Sequence, residues 1–190
     1  FSTACGQAAE PAPEPVASDG IRVHGHWTVT VTNPDGTVAS VHKFDNALVD
    51  VRGMSLLSGL LAGVTTVESH SIDVFRPMDA WACAESVKTT ELPNNASDRI
   101  PAVFVRDATL AGNPLMLKGA CTVTGATEGS STVTQVRSRF NFDPKIPFCL
   151  SGMTPALCGN EGSLPLTKHI EDIPVLNNQL VAFNIVFSFE

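Results

Sequence analysis

Residues 21–32 alternate strictly between apolar and polar side chains, and this alternation limits the fold more than any other feature of the sequence. Because successive side chains of a β-strand point to opposite faces, the pattern predicts a strand with one buried face. The apolar face carries Ile21, Val23, Trp27, Val29 and Val31. The polar face carries His24, His26, Thr28, Thr30 and Thr32.

The next four residues, 33–36, read Asn-Pro-Asp-Gly and predict a tight turn. Pro34 fixes φ, and Gly36 accepts a left-handed conformation, so a three-residue hairpin loop with a bulge is expected. This register places Val29 and Val41 together on the core face, as the apolar pattern requires. The predicted pairs are Thr32 with Val38, Val29 with Val41, Thr28 with His42, and His26 with Phe44.

Further strand-like segments follow along the chain, and turn-rich segments separate them. They cover 64–76, 102–106, 115–124, 132–142 and 179–190, and residues 126–130 are expected to join the third and fourth as a hairpin. Many strands without a βαβ rhythm predict an all-β, mainly antiparallel fold, either a β-sandwich or a jelly roll. The last strand is so apolar that it must be covered, inside its own sheet or by completing a neighbour's sheet.

One short helix, at about 51–62, is predicted between an Asp50 cap and Gly63. The chain is long enough to bury one core. We therefore expect a single domain at 20–190, preceded by an extended tail at 1–19.

Composition argues against nucleic-acid binding and against a transmembrane segment. The net charge of −7 does not suit a nucleic-acid-binding protein, whose affinity depends on clustered Lys and Arg. The longest apolar stretch, 54–67, contains Ser, Gly and Thr and is too polar for a transmembrane segment.

The five cysteines show no CxxC pair and no zinc-site spacing. Cys149 and Cys158 bracket a loop-like segment that a local disulfide could close, which leaves Cys83 with Cys121 as the simplest second pair. The alternative is five free thiols in a reducing compartment. A chain that begins at Phe1 without Met suggests removal of a signal peptide, and hence an extracellular or cell-surface location.

Cys5 is left over, and it lies in the proline-rich tail with Pro11, Pro13 and Pro15. An odd cysteine in a secreted protein suggests a bond to another chain or a modified thiol. The Ala4-Cys5-Gly6 sequence followed by a Pro/Ala/Glu linker looks like a bacterial lipoprotein N-terminus, which implies lipidation of Cys5.

Candidate sites for chemistry are few. The predicted register puts His24, His26 and His42 on one polar face, where a copper, nickel or zinc site is conceivable beside the more ordinary reading of solvent-facing histidines. Asn95 begins a glycosylation sequon in a predicted polar loop. No catalytic motif occurs, so neither enzymatic activity nor a cofactor is expected.

Two groups of acidic residues and histidines are close only in sequence, and they are expected to be surface groups. They are His70 with Asp73, and His169 with Glu171 and Asp172. A carbohydrate-binding surface would need exposed aromatic rings. Because Trp27 falls on the core face, Trp81 is the one tryptophan available for such a platform.

The segment from Trp27 to Gly36, followed by Phe44 to Leu48 and the 57–63 helix, resembles the opening of phage virion and bacterial surface β-proteins. The 179–189 strand is similar to their final strand, and the resemblance implies a structural role. The sequence thus predicts a non-enzymatic subunit of an extracellular filament, sheath or appendage. Its identical subunits would be joined through the tail or by strand complementation. The alternative is a monomeric cell-envelope lipoprotein or ligand-binding module of unknown small-molecule ligand.

Overall fold

The computed structural model describes eight segments of the chain, and all of its regular structure is β. The described residues are 23–47, 67–78, 80–92, 95–106, 114–129, 131–142, 163–169 and 171–189. Their strands are β1 (Val23–Thr32), β2 (Val38–Ala47), β3 (Val67–Pro77), β4 (Ala82–Cys83), β5 (Val87–Leu92), β6 (Asn95–Arg106), β7 (Leu115–Thr124), β8 (Thr132–Val133), β9 (Gln135–Phe142), β10 (Ser163–His169), β11 (Ile173–Pro174) and β12 (Leu180–Phe189). The predicted all-β class is confirmed. The predicted helix at 51–62, the 1–19 tail, and Cys5, Cys149 and Cys158 lie outside the described residues.

Ten of these strands form one antiparallel sheet. Its main path runs β10-β9-β3-β6-β7-β12-β1-β2, while β5 pairs with β6, β4 pairs with β7, and β11 pairs with β8 in a separate ladder. The sheet curls, so that its two end strands meet: the side-chain amide of Asn46 on β2 donates to the carbonyl of Lys168 on β10. The result is sandwich-like, with the curl of a half-barrel.

The inner, concave face of the sheet holds the core. The alternation in β12 puts Val181, Phe183, Ile185 and Phe187 there, all buried, as the sequence predicts. β12 pairs along its length with β1 on one side and with β7 on the other. Both edges of β12 are therefore used within the chain, so the strand lies inside its own sheet, the first of the two predicted alternatives.

The β1–β2 hairpin forms as predicted, but its register is corrected beyond the turn. Thr32 pairs with Val38, after which a bulge shifts the ladder by one residue, so that Val29 lies opposite His42 rather than Val41. A one-residue shift moves every later side chain to the other face. Val41 consequently points outward and is 50% exposed.

The predicted hairpin through 126–130 is wrong. β7 lies between β6 and β12, whereas β9 lies between β3 and β10. The run 132–142 is broken at Thr134, and its first part, β8, pairs with β11. Local alternation indicates that a segment is a strand, but it does not select that strand's neighbour in the sheet.

Two features fix the packing of β7. The Cys83–Cys121 disulfide joins β7 to β4 with Cα atoms 5.3 Å apart, as the sequence predicts. Gly119 leaves room for the side chains of Ile72 and Ile100, whose Cδ1 atoms would lie 3.1 and 3.4 Å from a Cβ at this position. The absence of a side chain here lets the neighbouring strands fill the core at close range.

Candidate functional site

The face of the sheet opposite to the buried Val29 and Phe183, called here the outer face, presents the most exposed side chains of β2, β1, β12 and β7. Because directly paired residues of an antiparallel ladder point to the same face, the ladders define rows across these strands. One row contains Val41, Thr30, Ala182 and Ala120. A second row contains Lys43, Thr28, Asn184 and Lys118.

The predicted histidine cluster is divided between the two faces. His24 and His26 lie on the outer face, but the shifted register turns His42 to the inner face beside Val29. His42 Nε2 is 3.1 Å from Ser40 Oγ, and its Nδ1 is 3.5 Å from a carboxylate oxygen of Glu171. Among the described residues, no group of three His, Cys, Asp or Glu side chains could hold a metal ion.

His26 lies between a carboxylate and a hydroxyl on the outer face. Its Nδ1 is 2.8 Å from Asp45 Oδ1, and its Nε2 is 2.8 Å from Ser188 Oγ. The three residues come from the adjacent strands β2, β1 and β12. Their order is that of a Ser-His-Asp hydrogen-bond relay, in which the acid orients the imidazole and the imidazole contacts the hydroxyl.

These contacts fix the tautomer of neutral His26. An ionised carboxylate can only accept hydrogen bonds, so Nδ1 carries the proton and donates to Asp45. Nε2 is then an acceptor, and the hydroxyl of Ser188 donates to it. The side chains of His26 and Asp45 are 46% and 72% exposed, so water reaches the relay directly.

An apolar surface lies on the same outer face. We call Val38, Val41, Leu180, Ala182 and Ala120 the outer apolar patch. Val38 is 60% and Val41 50% exposed, and Leu180 lies one row away beside Thr32. A shallow hollow of about 440 Å³ adjoins them, lined by Lys118, Gly119, Ala120, Ala182, Phe183 and Asn184. In the described part of the chain, Asn184 Oδ1 is buried without a hydrogen-bond partner.

Trp81 does not form the exposed aromatic platform that a sugar-binding surface would need. It is 3% exposed, and its Nε1 donates to the carbonyl of Thr132 at 3.0 Å. The guanidinium of Arg76 lies 5.9 Å from its ring. Trp27 is buried as predicted, and its Nε1 donates to Asn46 Oδ1 at 2.9 Å. Neither tryptophan is available to stack on a sugar.

The expectation that His70 and Asp73 are surface groups is wrong for Asp73, which is fully buried, and the two side chains lie on opposite faces of β3. His70 packs edge-on against Phe104 at 4.3 Å between ring centroids, and burial lowers the pKa of its imidazole. Asp73 is buried and accepts from three arginines on the neighbouring strands β6 and β9. These contacts are Arg99 Nε at 2.8 Å, Arg139 Nε at 2.6 Å and Arg137 Nη2 at 3.1 Å.

Opposing effects act on the Asp73 carboxyl. Burial raises its pKa, but the hydrogen bond from Arg99 and the positive charges of Arg139, Arg99 and Arg137 outweigh burial, so that the pKa lies below its ordinary value. The register explains the cluster, since Arg99 and Arg137 lie directly opposite Asp73 in the two ladders. Sequence reasoning missed this cluster, because its members are far apart in the chain.

A second buried ion pair, also missed, lies on the inner face. Arg76 binds Asp98 through Nε at 3.1 Å and Nη2 at 3.2 Å. The backbone amide of Cys83 donates to Asp98 Oδ2 at 2.6 Å, which connects the ion pair to the disulfide. This arrangement organises the core around β4.

Among the described residues, the other residues singled out by the sequence do not lie together in a site. Asn95 is the first residue of β6 and pairs with Pro77 in the ladder, so it is not in a loop, and Ser97 of its sequon is buried. In the second acidic group, Glu171 faces His42, while Asp172 is exposed. Pro11, Pro13 and Pro15 lie outside the described residues.

Comparisons with protein-family models, curated proteins and solved structures found no significant match. Over the ranges that the structure describes, no helix is long and apolar enough to cross a membrane. Any functional conclusion therefore depends on the geometry above.

Proposed function

We propose that this chain is a structural subunit of an extracellular assembly, and that identical copies contact one another through the outer apolar patch. The observation that carries the proposal is the row Val41–Thr30–Ala182–Ala120, which presents small or apolar side chains to solvent across four adjacent strands. Neighbouring strands lie about 4.8 Å apart, so the row spans roughly 14 Å. Contiguous exposed apolar side chains mark surfaces at which proteins contact one another.

The patch extends over the faces of several strands. β1 and β12 are each paired on both sides, so Leu180 and Ala182 lie within the sheet, while Val38 and Val41 lie on β2, an end strand of its main path.

The N-terminal tail is the second element of the proposal. Residues 1–19 contain three prolines and three acidic residues but no basic residue, a composition typical of extended segments. Cys5 within it could join two chains covalently. The Cys83–Cys121 disulfide supports an oxidising, extracellular compartment for this assembly.

Light scattering of the full chain over a range of concentrations tests the patch. We expect Val41→Glu combined with Leu180→Glu to weaken self-association by roughly tenfold or more, because a contact surface does not tolerate unpaired buried charge. Met78→Glu is the matched control, since Met78 is an exposed apolar residue at the end of β3, outside the patch. Equal association of both variants would contradict a role for the patch.

Two further variants separate the tail from the patch. Deletion of 1–19 should leave a folded domain that no longer assembles as the full chain does. Cys5→Ser shows whether a disulfide between chains is needed, and mass spectrometry of Cys5 distinguishes a mixed disulfide from a diacylglyceryl adduct. A monomeric full chain carrying the lipid adduct would support the alternative, a cell-envelope lipoprotein.

A further inference from the structure

We propose that Ser188 is a reactive serine that accepts acyl groups from carboxylic esters, with His26 as its general base and Asp45 as the residue that positions His26. This role goes beyond the structural function proposed above and is independent of it. The supporting observation is the pair of 2.8 Å contacts, Asp45 to Nδ1 and Nε2 to Ser188 Oγ, on a single imidazole.

The fold holds this relay on regular structure. His26 pairs directly with Asp45 in the β1–β2 ladder, and Ser188 lies diagonally across the β1–β12 ladder from His26. Diagonal neighbours on one face of a sheet remain within reach of long and aromatic side chains. Three paired strands, rather than a loop, set the mutual positions of the groups, as a preorganised site requires.

The chemistry follows from the tautomer. Ser188 Oγ attacks the carbonyl carbon of the ester while its proton passes to His26 Nε2, and Asp45 stabilises the resulting imidazolium. The bond from the acyl carbon to the alcohol oxygen then breaks, and His26 returns the proton to the departing alcohol. Water activated by His26 hydrolyses the acyl-serine, so that ester and water become carboxylic acid and alcohol and Ser188 is regenerated.

The immediate surroundings favour a small acyl group. His24 lies directly across the ladder from Ser188, and Val186 lies across from His26 on the same face. Ser188 is partly exposed, and the relay lies on an open sheet surface. Short, activated esters therefore suit the site, while exposure to water makes turnover slow.

The molecule contains its own comparison. A second relay of serine, histidine and acid consists of Ser40, His42 and Glu171. Its contacts are longer: 3.1 Å between Ser40 Oγ and His42 Nε2, and 3.5 Å between His42 Nδ1 and a carboxylate oxygen of Glu171. If each relay only satisfied the hydrogen bonds of its polar groups, Ser188 and Ser40 would react similarly with esters. If the Ser188 relay is a reactive site, Ser188 is acylated and Ser40 is not.

The experiment treats the full chain with 4-nitrophenyl acetate and follows nitrophenolate release, with peptide mass spectrometry to locate the acetyl group. We expect acetylation of Ser188 in the wild type, its loss in Ser188→Ala, and an unchanged rate in Ser40→Ala. His26→Gln should slow acylation of Ser188 by about 100-fold, the lower range for loss of a general base. Asp45→Asn should slow it roughly tenfold, less than in buried triads because Asp45 is solvated.

A positioning role for Asp45 has a second testable consequence. Since Asp45 acts only through His26, Asp45→Asn should add nothing in the His26→Gln background, whereas a purely structural effect would be additive. Equal unfolding midpoints of the single variants establish that each remains folded. Acetylation of His26 instead of Ser188, an unmodified Ser188 in the wild type, or an unchanged rate in His26→Gln would overturn the proposal.

Discussion

Asp73 and Asp98 are carboxylates on neighbouring strands, both fully buried, yet the sheet compensates their charges in different ways. Asp98 faces the core and has one guanidinium, that of Arg76, together with the amide of Cys83. Asp73 faces outward and accepts from three guanidiniums, two of which, Arg99 and Arg137, remain 29% and 15% exposed. The removal of Asp98 therefore leaves one buried cation, whereas the removal of Asp73 leaves two guanidiniums that reach water and a third, that of Arg139, that is 6% exposed.

The largest expected effect is at the inner pair. Asp98→Ala leaves Arg76 buried without its counterion, and we expect a loss of about 3–5 kcal/mol in the free energy of unfolding. Arg76→Met with Asp98→Leu removes both charges and should destabilise far less. Urea unfolding measures both variants, with the exposed Asp172→Ala as control. A loss below about 1 kcal/mol in Asp98→Ala would show that Arg76 finds other compensation.

The disulfide is expected to have the next largest effect, and to act on one region only. Cys83→Ala with Cys121→Ala opens a cross-link between residues 38 apart in sequence and should cost about 2–4 kcal/mol. Because the amide of Cys83 binds Asp98, this change and Asp98→Ala should be less than additive, whereas it should be additive with Asp73→Asn. If the losses were additive in both combinations, the ion pair and the disulfide would stabilise the fold independently of each other.

The outer cluster should give the smallest loss, and one that depends on pH. Asp73→Asn is expected to cost about 1–3 kcal/mol at pH 7, since water partly solvates the remaining guanidiniums. The pKa of Asp73 is lowered in the folded state, so its contribution is present above the unfolded value of about 3.9 and is lost as pH falls through the folded pKa.

Unfolding midpoints at pH 7 and near pH 3 test this directly. The difference between wild type and Asp73→Asn should shrink at the lower pH, because below about pH 3.9 the unfolded wild-type chain binds a proton at Asp73 more readily than the folded chain does. A difference that stays constant between the two conditions would mean that Asp73 stabilises the fold by its shape and hydrogen bonds, rather than by its charge.

Alternation predicted the all-β class and the last strand with its buried valine and phenylalanines, and the turn residues Pro34 and Gly36 predicted the first hairpin. These features could be predicted because the period of two is local. The bulge after Val38 could not be placed to the residue from sequence, and it decided that His42 turns inward and Val41 outward. For that reason His24, His26 and His42 do not share one face.

The sequence by itself determined that β1, β2, β3, β7, β9 and β12 are strands, which faces of β1 and β12 are apolar, and the simplest pairing of Cys83 with Cys121, but it did not indicate β5 or β10. Beyond the β1–β2 hairpin, only the tertiary structure decided which strands are neighbours. It thereby brought Ser188 to His26 from 162 residues away, and Arg99, Arg137 and Arg139 to Asp73. The physical reason is that a strand's own pattern fixes the direction of its side chains, whereas the strand opposite is chosen by burial and register over the whole sheet.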